Sequence, residues 1–314
     1  MDYKPNFFFR NGHFNSIYPT IFRKQEDPAF DRVTLDTPDE DFIDIDIKRA
    51  DGSSRVVILC HGLEGSSDSH YIKGTAARAV SKGWNVVAMN YRSCSGRMNN
   101  TLRMYHSGAT DDLDLVVGYC KRNFKTIALI GFSLGGNLVM KYTGERGQSL
   151  DADIVSLVAI SVPTDLSAGS KNIGRRSNFL YENKFLISLK AKLKEKHAQF
   201  PNELNINPLK RISKLYDFDD IYTARIHGFK DAEDYYTKCS CAQFIPDIKV
   251  PGLIINALDD PFLPEECYPK EWVRKNENID LWLPKYGGHV GFVMPGQEFY
   301  WSEIKAIDFI SQHS

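Results

Sequence analysis

Two patterns of apolar residues alternate along the chain. Short apolar runs are typical of strands, and longer segments with apolar residues every three or four positions are typical of helices. The predicted strands are Arg32–Thr37, Asp41–Lys48, Val56–Cys60, Trp84–Met89, Thr126–Ile130, Ile154–Val162, Val250–Ala257 and Ile279–Leu283. The predicted helices are Tyr71–Lys82, Asp112–Asn123, Leu134–Glu145, Glu265–Lys275 and Tyr300–Ser311.

The order of these elements predicts an α/β fold. The first two strands alternate apolar and polar residues, which favours an antiparallel edge pair. The later strands are largely apolar, as expected in a parallel sheet buried on both faces. We therefore expect a mostly parallel sheet of about eight strands with helices on both faces, and a functional site at the carboxyl ends of the strands.

The stretch 163–245 interrupts this alternation. It is too long for a simple crossover and contains no run that resembles a buried strand. The sequence therefore predicts a helical cap over 163–245, inserted after the sixth strand into a core formed by 1–162 and 246–314. Within the cap, Phe179–Lys196 and Asp231–Cys239 have helical spacing, whereas Phe218–Tyr222 is interpreted as a loop packed by aromatic residues.

A nucleophile elbow is predicted directly behind the run that ends at Ile130. Gly131-Phe132-Ser133-Leu134-Gly135 matches the pattern G-x-S-x-G between a strand and a helix. A serine hydroxyl needs a neighbouring base and an exposed position on a tight turn to act as a nucleophile. Ser133 is therefore the candidate nucleophile.

A second glycine-rich loop follows the strand that ends at Cys60. His61-Gly62-Leu63-Glu64-Gly65 is a loop of the H-G-x-x-G type. Such a loop supplies one oxyanion-hole amide, and the residue after the nucleophile supplies the other, so Leu63 and Leu134 are the candidate donors. His61 is a candidate base, but its place before the turn favours a role in shaping the loop.

The base and its orienting acid are predicted downstream of Ser133, in the order serine, carboxylate, histidine. Leu258-Asp259-Asp260-Pro261 follows one strand, and Gly287-Gly288-His289-Val290-Gly291 follows the next. We expect His289 to act as the base and Asp260 to hold its imidazole, with Asp259 as the alternative acid.

Charge and composition exclude several classes of protein. With 39 basic and 40 acidic residues the net charge is −1, which provides no long-range field for nucleic acid or an anionic membrane. The residues after Met1 show no signal-peptide pattern, and no window approaches eighteen apolar residues, so we expect a cytoplasmic protein without a membrane span. The six cysteines follow no disulfide framework, and Cys239-Ser240-Cys241 lacks the second pair that a zinc site needs. No metal or organic cofactor is expected.

Two sets of aromatic residues have more than one interpretation. Phe7-Phe8-Phe9 either contacts lipid peripherally or tucks into a groove of the protein. Aromatic residues of the cap either line a substrate pocket or form ordinary core. The pocket candidates are Phe179, Tyr181, Phe185, Tyr222 and Tyr236, with Phe229 and Tyr235 beside them.

The loop after the second parallel strand also has two interpretations. Arg92 or His106 contacts a polar group of the substrate, or these side chains bond with Tyr105 and Asp112 to fix the loop. The second interpretation is favoured, with Asp112 at the amino end of the next helix.

These motifs together resemble the YheT-like branch of the α/β-hydrolase superfamily over nearly the whole chain. The matching segments are His61–Ser67, Asn90–Gly96, Tyr105–Asp112, Gly131–Asn137, Asp234–Tyr236, Asn256–Pro261 and Gly287–Phe292. The resemblance implies an α/β-hydrolase fold with esterase-type chemistry, in which Ser133, Asp260 and His289 match the family's triad. One departure is Arg92-Ser93-Cys94, where the family commonly has Arg-Gly-Cys.

The function expected from this sequence is hydrolysis of carboxylic esters, of short to medium acyl chains or lipid-like, through an acyl-serine intermediate. Two alternatives remain. In the first, the same triad cleaves a lipid thioester or transfers an acyl group to an alcohol. In the second, the fold is a binding module without catalysis. The expected partner is a small-molecule or lipid ester. The oligomeric state does not follow from the sequence.

Overall fold

The predicted strands form one sheet in the computed structural model, which describes residues 3–314. Its strand order is β1-β2-β4-β3-β5-β6-β7-β8; β1 pairs antiparallel with β2 and β2 with β4, and the remaining pairs are parallel. The strands are β1 (Asp31–Asp36), β2 (Phe42–Lys48), β3 (Arg55–Cys60), β4 (Asn85–Asn90), β5 (Thr126–Phe132), β6 (Ile154–Ile160), β7 (Gly252–Ile255) and β8 (Ile279–Trp282). The expected mostly parallel sheet of eight strands is confirmed.

Helices cover both faces of this sheet. The α-helices are α1 (Gly12–Phe22), α2 (His70–Ser81), α3 (Thr110–Asn123), α4 (Leu134–Arg146), α5 (Leu166–Ile173), α6 (Phe179–Gln199), α7 (Leu215–Phe218), α8 (Ala224–Ile226), α9 (Ala232–Cys239), α10 (Lys270–Val273) and α11 (Trp301–Gln312). Within residues 3–314, none of them has the length and apolar character needed to span a bilayer.

The core is divided into two layers by the sheet. Side chains of β3 alternate between the layers, so that Val56 and Ile58 face α3 and α4, while Val57 and Leu59 face α2 and α11. All four are fully buried. Because each buried aliphatic side chain contributes roughly 1.5–3 kcal/mol, the two layers fix the sheet that carries the site.

Two local predictions were wrong, and one helix was not predicted. The helix expected over Glu265–Lys275 is a 3-10 turn at Glu265–Cys267 followed by the short α10, because Pro269 has no N–H to continue a helix. The expected loop at Phe218–Tyr222 is helical: α7 runs into a π-helical turn at Asp219–Thr223, since Phe218 and Tyr222 share a buried face. Helix α1 was missed because Pro19 lies inside it.

The chain between β6 and β7 is helical and strand-free, and it contains α5 to α9. It contacts loops at the carboxyl ends of β3 and β4. Lys192 of α6 pairs with Glu64, Lys196 donates to the carbonyl of Asn99, and Tyr235 of α9 bonds to Ser107. These contacts place the helical segment over the end of the sheet where the sequence motifs meet.

Candidate active site

Ser133 occupies a strained turn between β5 and α4. Its φ of 53° and ψ of −118° are unusual for a residue with a side chain, and such a conformation costs on the order of 1–3 kcal/mol. Its backbone N–H is anchored to the carbonyl of Ile160, at 2.8 Å. The turn therefore holds the hydroxyl clear of the sheet.

The flanking glycines are required by close backbone contacts. A Cβ at Gly131 would overlap the carbonyl of Gly135, and a Cβ at Gly135 would overlap the carbonyl of Cys60. No side chain fits at either position without moving the strand or the helix. The G-x-S-x-G spacing is thus explained by packing as well as by the turn.

Ser133, His289 and Asp260 lie in one hydrogen-bonded chain. The Nε2 atom of His289 is 2.9 Å from the Oγ of Ser133. Its Nδ1 atom is 2.9 Å and 3.1 Å from the two carboxylate oxygens of Asp260. The Asp260 side chain is fully buried, and its Oδ1 also accepts the N–H of Phe262, at 2.8 Å. This arrangement can activate a hydroxyl by proton transfer to the imidazole.

The loop that carries His289 is held by two serines from distant parts of the chain. The N–H of His289 donates to the Oγ of Ser16 in α1, at 2.7 Å, and the N–H of Val290 donates to the Oγ of Ser161, at 2.9 Å. The Phe262 ring packs on the imidazole with centroids 4.2 Å apart. Sequence reasoning missed Ser16, although Asn11, whose side chain caps α1 by accepting from Phe14, was a usable signal for that helix.

Asp259 faces the backbone of the histidine loop instead of the imidazole. Its Oδ1 accepts the N–H of Gly288, at 2.8 Å, and its Oδ2 has no hydrogen-bond partner among residues 3–314. Burial raises the pKa of this carboxyl to about 6, and the charge of Asp260 adds to the rise. The structure brings Asp260, and not Asp259, to the ring of His289.

The loop after β3 lies directly against Ser133. A Cβ at Gly62 would be 3.2 Å from the Cβ of Ser133, and Leu63 lines the same cavity as Ser133 and Leu134. The backbone N–H groups of Leu63 and Leu134 donate to no acceptor within residues 3–314. They therefore have the capacity to bind an oxyanion at Ser133.

The ring nitrogens of His61 bond to Gly62 and Tyr91 and not to Ser133. Its Nδ1 lies 2.7 Å from the carbonyl of Gly62, and its Nε2 accepts the N–H of Tyr91, at 3.3 Å. Burial lowers the pKa of the imidazole to about 3, which keeps it neutral. These contacts shape the loop.

Glu64 ties the same loop to the helical segment above it. Its backbone has a φ of 55°, and its N–H donates to the hydroxyl of Tyr105, at 3.0 Å. The carboxylate accepts from Tyr105, at 2.6 Å, from Ser188 of α6, and from the ammonium of Lys192 of α6, at 2.9 Å. We call Glu64, Tyr105, Ser188 and Lys192 the Glu64 cluster. It links the residue after Leu63 to α6.

Arg92 is buried among carboxylates and does not reach the nucleophile. Its guanidinium pairs with Asp39, Asp41 and Asp112 at 2.8 to 2.9 Å. The predicted pair of Arg92 with Asp112 is present, whereas Tyr105 bonds to Glu64 instead of to these side chains. His106 lies elsewhere, on the wall of a cavity, with its ring 4.5 Å from that of His227.

Two cavities meet at Ser133. The first, of about 110 Å³, lies under the helical segment; its walls are mainly apolar and include Leu166, Ile173 and Leu215. The second, of about 710 Å³, runs between α1, the loop after β3 and the start of α6, and includes His289. Leu63 borders both cavities.

The predicted pocket residues separate between these cavities. Tyr222 and Tyr236 line the first cavity, while Tyr181 and Phe185 line the second. Phe179 lines neither, since its side chain points outward with 60% of its surface exposed. Phe229 and Tyr235 pack beside His106 and line neither cavity.

Among residues 3–314, no group of three or more His, Cys, Asp or Glu side chains is arranged to hold a metal.

Residues 55–293 match the family model of the alpha/beta hydrolase fold, which is more than half of the chain. The chain therefore belongs to the α/β-hydrolase family. A relative from Escherichia coli (strain K12), named "Putative esterase YheT", is 37% identical over 91% of this chain and 85% of its own length. The expected resemblance to the YheT-like branch is thus confirmed.

Further relatives carry hydrolase names. Phospholipase ABHD3 of Mus musculus is 30% identical over 77% of this chain and 60% of its own length. The solved structure of esterase Pf2001 from Pyrococcus furiosus has a TM-score of 0.60 and 19% identity, over 92% of this chain and 97% of that one. At 19% identity the likeness to the Pyrococcus furiosus structure establishes the fold alone. The family and the named relatives together indicate a hydrolase.

Proposed function

We propose that this protein is a serine esterase that cleaves carboxylic esters through an acyl-serine intermediate. The observation that carries the proposal is the unbroken chain of hydrogen bonds from Ser133 through His289 to Asp260. In this chain a buried carboxylate bonds an imidazole, which bonds a serine on a strained turn. A protein that only binds ligands has no need for such an arrangement.

In the proposed mechanism, His289 takes the Ser133 proton as the hydroxyl oxygen attacks the ester carbonyl carbon. Asp260 stabilises the imidazolium, and the amides of Leu63 and Leu134 bind the oxyanion of the tetrahedral intermediate. His289 then gives its proton to the departing alcohol. A water molecule activated by His289 hydrolyses the acyl-serine and restores the free enzyme.

The two cavities indicate how the ester would lie. The leaving oxygen must reach the Nε2 of His289 to accept a proton, and His289 borders only the second cavity. We therefore assign the alcohol portion to the second cavity. The acyl chain then enters the apolar first cavity beneath the segment 163–245, which acts as a cap that excludes water. This assignment supports short to medium or lipid-like acyl groups as substrates.

Hydrolysis of p-nitrophenyl esters, together with fluorophosphonate labelling mapped to Ser133, tests the proposal. The label reports an activated serine independently of the natural substrate. Turnover on no acyl length and absence of label at Ser133 would refute it. Adding an acceptor alcohol and analysing the products separates hydrolysis from acyl transfer by the same three residues.

Narrowing the first cavity is expected to change acyl-length selectivity. Ile173→Trp places a larger side chain on its wall, so kcat/KM for the longest accepted acyl ester should fall about 10-fold or more, while the acetyl ester changes little. The measurement is a series of p-nitrophenyl esters of increasing length. Phe185→Trp in the second cavity is the matched control. If Phe185→Trp shifts the length preference and Ile173→Trp does not, the cavity assignment is reversed.

Breaking the Glu64 cluster is expected to disturb the oxyanion donor beside it. Lys192→Met retains most of the side-chain volume but leaves the Glu64 carboxylate without its cation. Because small displacements of catalytic groups are costly, kcat should fall about 10- to 100-fold while KM stays within about twofold. Steady-state kinetics on one ester measures this separation.

Lys214→Met is the matched control for that variant. It breaks another ion pair of the helical segment, between Lys214 and Glu182 at 3.0 Å, without touching the loop after β3. Thermal unfolding of both variants separates a general loss of stability from an effect on the loop. Equal losses of kcat in the two variants would show that Glu64 does not position Leu63.

A further inference from the structure

Exposed hydrophobic side chains are concentrated on two segments of the chain. Of the ten large hydrophobic side chains exposed in residues 3–314, eight belong to residues 7–22 or 179–187. The most exposed are Phe7 and Leu180, at 78% and 74%. The other two, Leu258 and Trp272, lie elsewhere in the chain. Such a concentration marks an interaction surface, since scattered exposed apolar residues are the ordinary case.

The two segments lie together at the entrance to the candidate active site. Ile21 of α1 and Leu180 of α6 line the second cavity, which leads to Ser133 and His289. The ring of His13 stacks on that of Tyr181 with centroids 5.8 Å apart, which joins the two helices. We call the exposed face of 7–24 and 175–187 the mouth surface.

Charge on the mouth surface differs from that of the chain as a whole. Residues 3–25 contain no Asp or Glu, and 171–187 contain only Glu182, which is buried and paired with Lys214. Basic residues stand beside the exposed apolar ones, and five of them form no ion pair within residues 3–314: Arg10, Lys24, Arg175, Arg176 and Lys184. The near-neutral net charge of the chain therefore conceals a local cationic and apolar surface.

We propose that the mouth surface docks on an anionic lipid surface and that substrate enters the second cavity from it. Apolar side chains flanked by unpaired lysine and arginine are the combination that binds the headgroup region of an anionic bilayer. Residues 7–24 and 175–187 carry no exposed acid, and Asp68 on the lining of the second cavity is paired with Lys73, so repulsion from a phosphate-rich surface is reduced. The inference rests on the proposed esterase function for its second part, because that function makes the cavity a substrate path.

Vesicle co-sedimentation tests the docking without catalysis. Wild type is expected to bind phosphatidylcholine vesicles that contain phosphatidylglycerol more tightly than pure phosphatidylcholine vesicles. The double variant Phe22→Ser/Phe179→Ser removes two exposed rings that line neither cavity at Ser133. Its affinity for the anionic vesicles should be at least about 10-fold lower, with turnover on a water-soluble ester unchanged.

Charge reversal isolates the electrostatic part. Arg175→Glu/Arg176→Glu should weaken binding to the anionic vesicles and abolish the preference over neutral ones. Lys249→Glu/Lys275→Glu is the matched control, since both lysines are exposed near the amino ends of β7 and β8, at the opposite edge of the sheet. This control changes net charge by the same amount and should leave the preference intact.

Three outcomes would overturn the docking. These are wild-type binding that does not depend on phosphatidylglycerol, equal losses in the mouth-surface variant and its control, and self-association of wild type that Phe22→Ser/Phe179→Ser removes without any vesicle binding. The last would assign the surface to a second copy of the chain. The esterase proposal is tested separately. If wild type binds the vesicles but does not hydrolyse the soluble ester, the esterase proposal fails and the docking stands.

Discussion

Ser133→Ala is expected to lower kcat on a p-nitrophenyl ester by roughly 10⁴- to 10⁶-fold, because serine and histidine of such a chain act as one unit. The substitution removes the oxygen that lies 2.9 Å from the Nε2 of His289 and leaves the backbone turn in place. Fluorophosphonate labelling should disappear at the same time. Both signals are measured on the purified variant.

Ser149→Ala is the control for this variant. Ser149 is exposed beyond the far end of α4, so its loss should leave both turnover and labelling unchanged. Circular dichroism and thermal unfolding verify that Ser133→Ala remains folded. A folded Ser133→Ala protein that keeps more than a trace of turnover would show that another group is the nucleophile.

Asp260→Asn is expected to reduce kcat by about 10⁴-fold with little change in overall structure. The amide retains the size of the carboxylate but lacks the charge that stabilises the imidazolium and fixes its tautomer. Because Asp260 is fully buried against His289, no solvent replaces that interaction. The measurement is kcat on a single ester near neutral pH.

The neighbouring carboxylate provides a control of equal chemistry. Asp259→Asn retains an oxygen that can accept the N–H of Gly288, so kcat should fall by less than about 10-fold. Its raised pKa reflects burial and the Asp260 charge, and neither requires contact with the ring. A larger loss in Asp259→Asn than in Asp260→Asn would exchange the roles of the two residues.

The sheet and the groups around Ser133 were predictable because their signals are local. Thr126–Ile130 is a buried run, and the glycines behind it leave one arrangement for the turn. His289 and Asp260 each follow a strand of the same parallel sheet, so their loops must emerge at one edge. Short-range pattern and sheet geometry together were sufficient to place these side chains near one another.

Contacts between distant parts of the chain were not predictable in this way. Nothing in residues 12–22 indicates that Ser16 will bond the backbone of His289, which lies 273 positions later. The outward direction of Phe179 depends on the packing of α6 and not on its own hydrophobicity. The four-residue spacing of Phe218 and Tyr222 is compatible with the helical turn at Asp219–Thr223, but the two aspartates between them favoured a loop.

The bonds between α1 and the histidine loop have a consequence for biosynthesis. Besides Ser16, Asn15 accepts the N–H of Val293, at 3.1 Å, and Arg23, directly after α1, pairs with Glu303 of α11. Helix α1 is translated well before these partners, which lie 273, 278 and 280 positions later along the chain. Loop closures of this length are slow, and an unpartnered apolar helix is exposed to misassociation in the interval. The nascent protein therefore carries its future entrance wall unshielded until these distant partners have been translated.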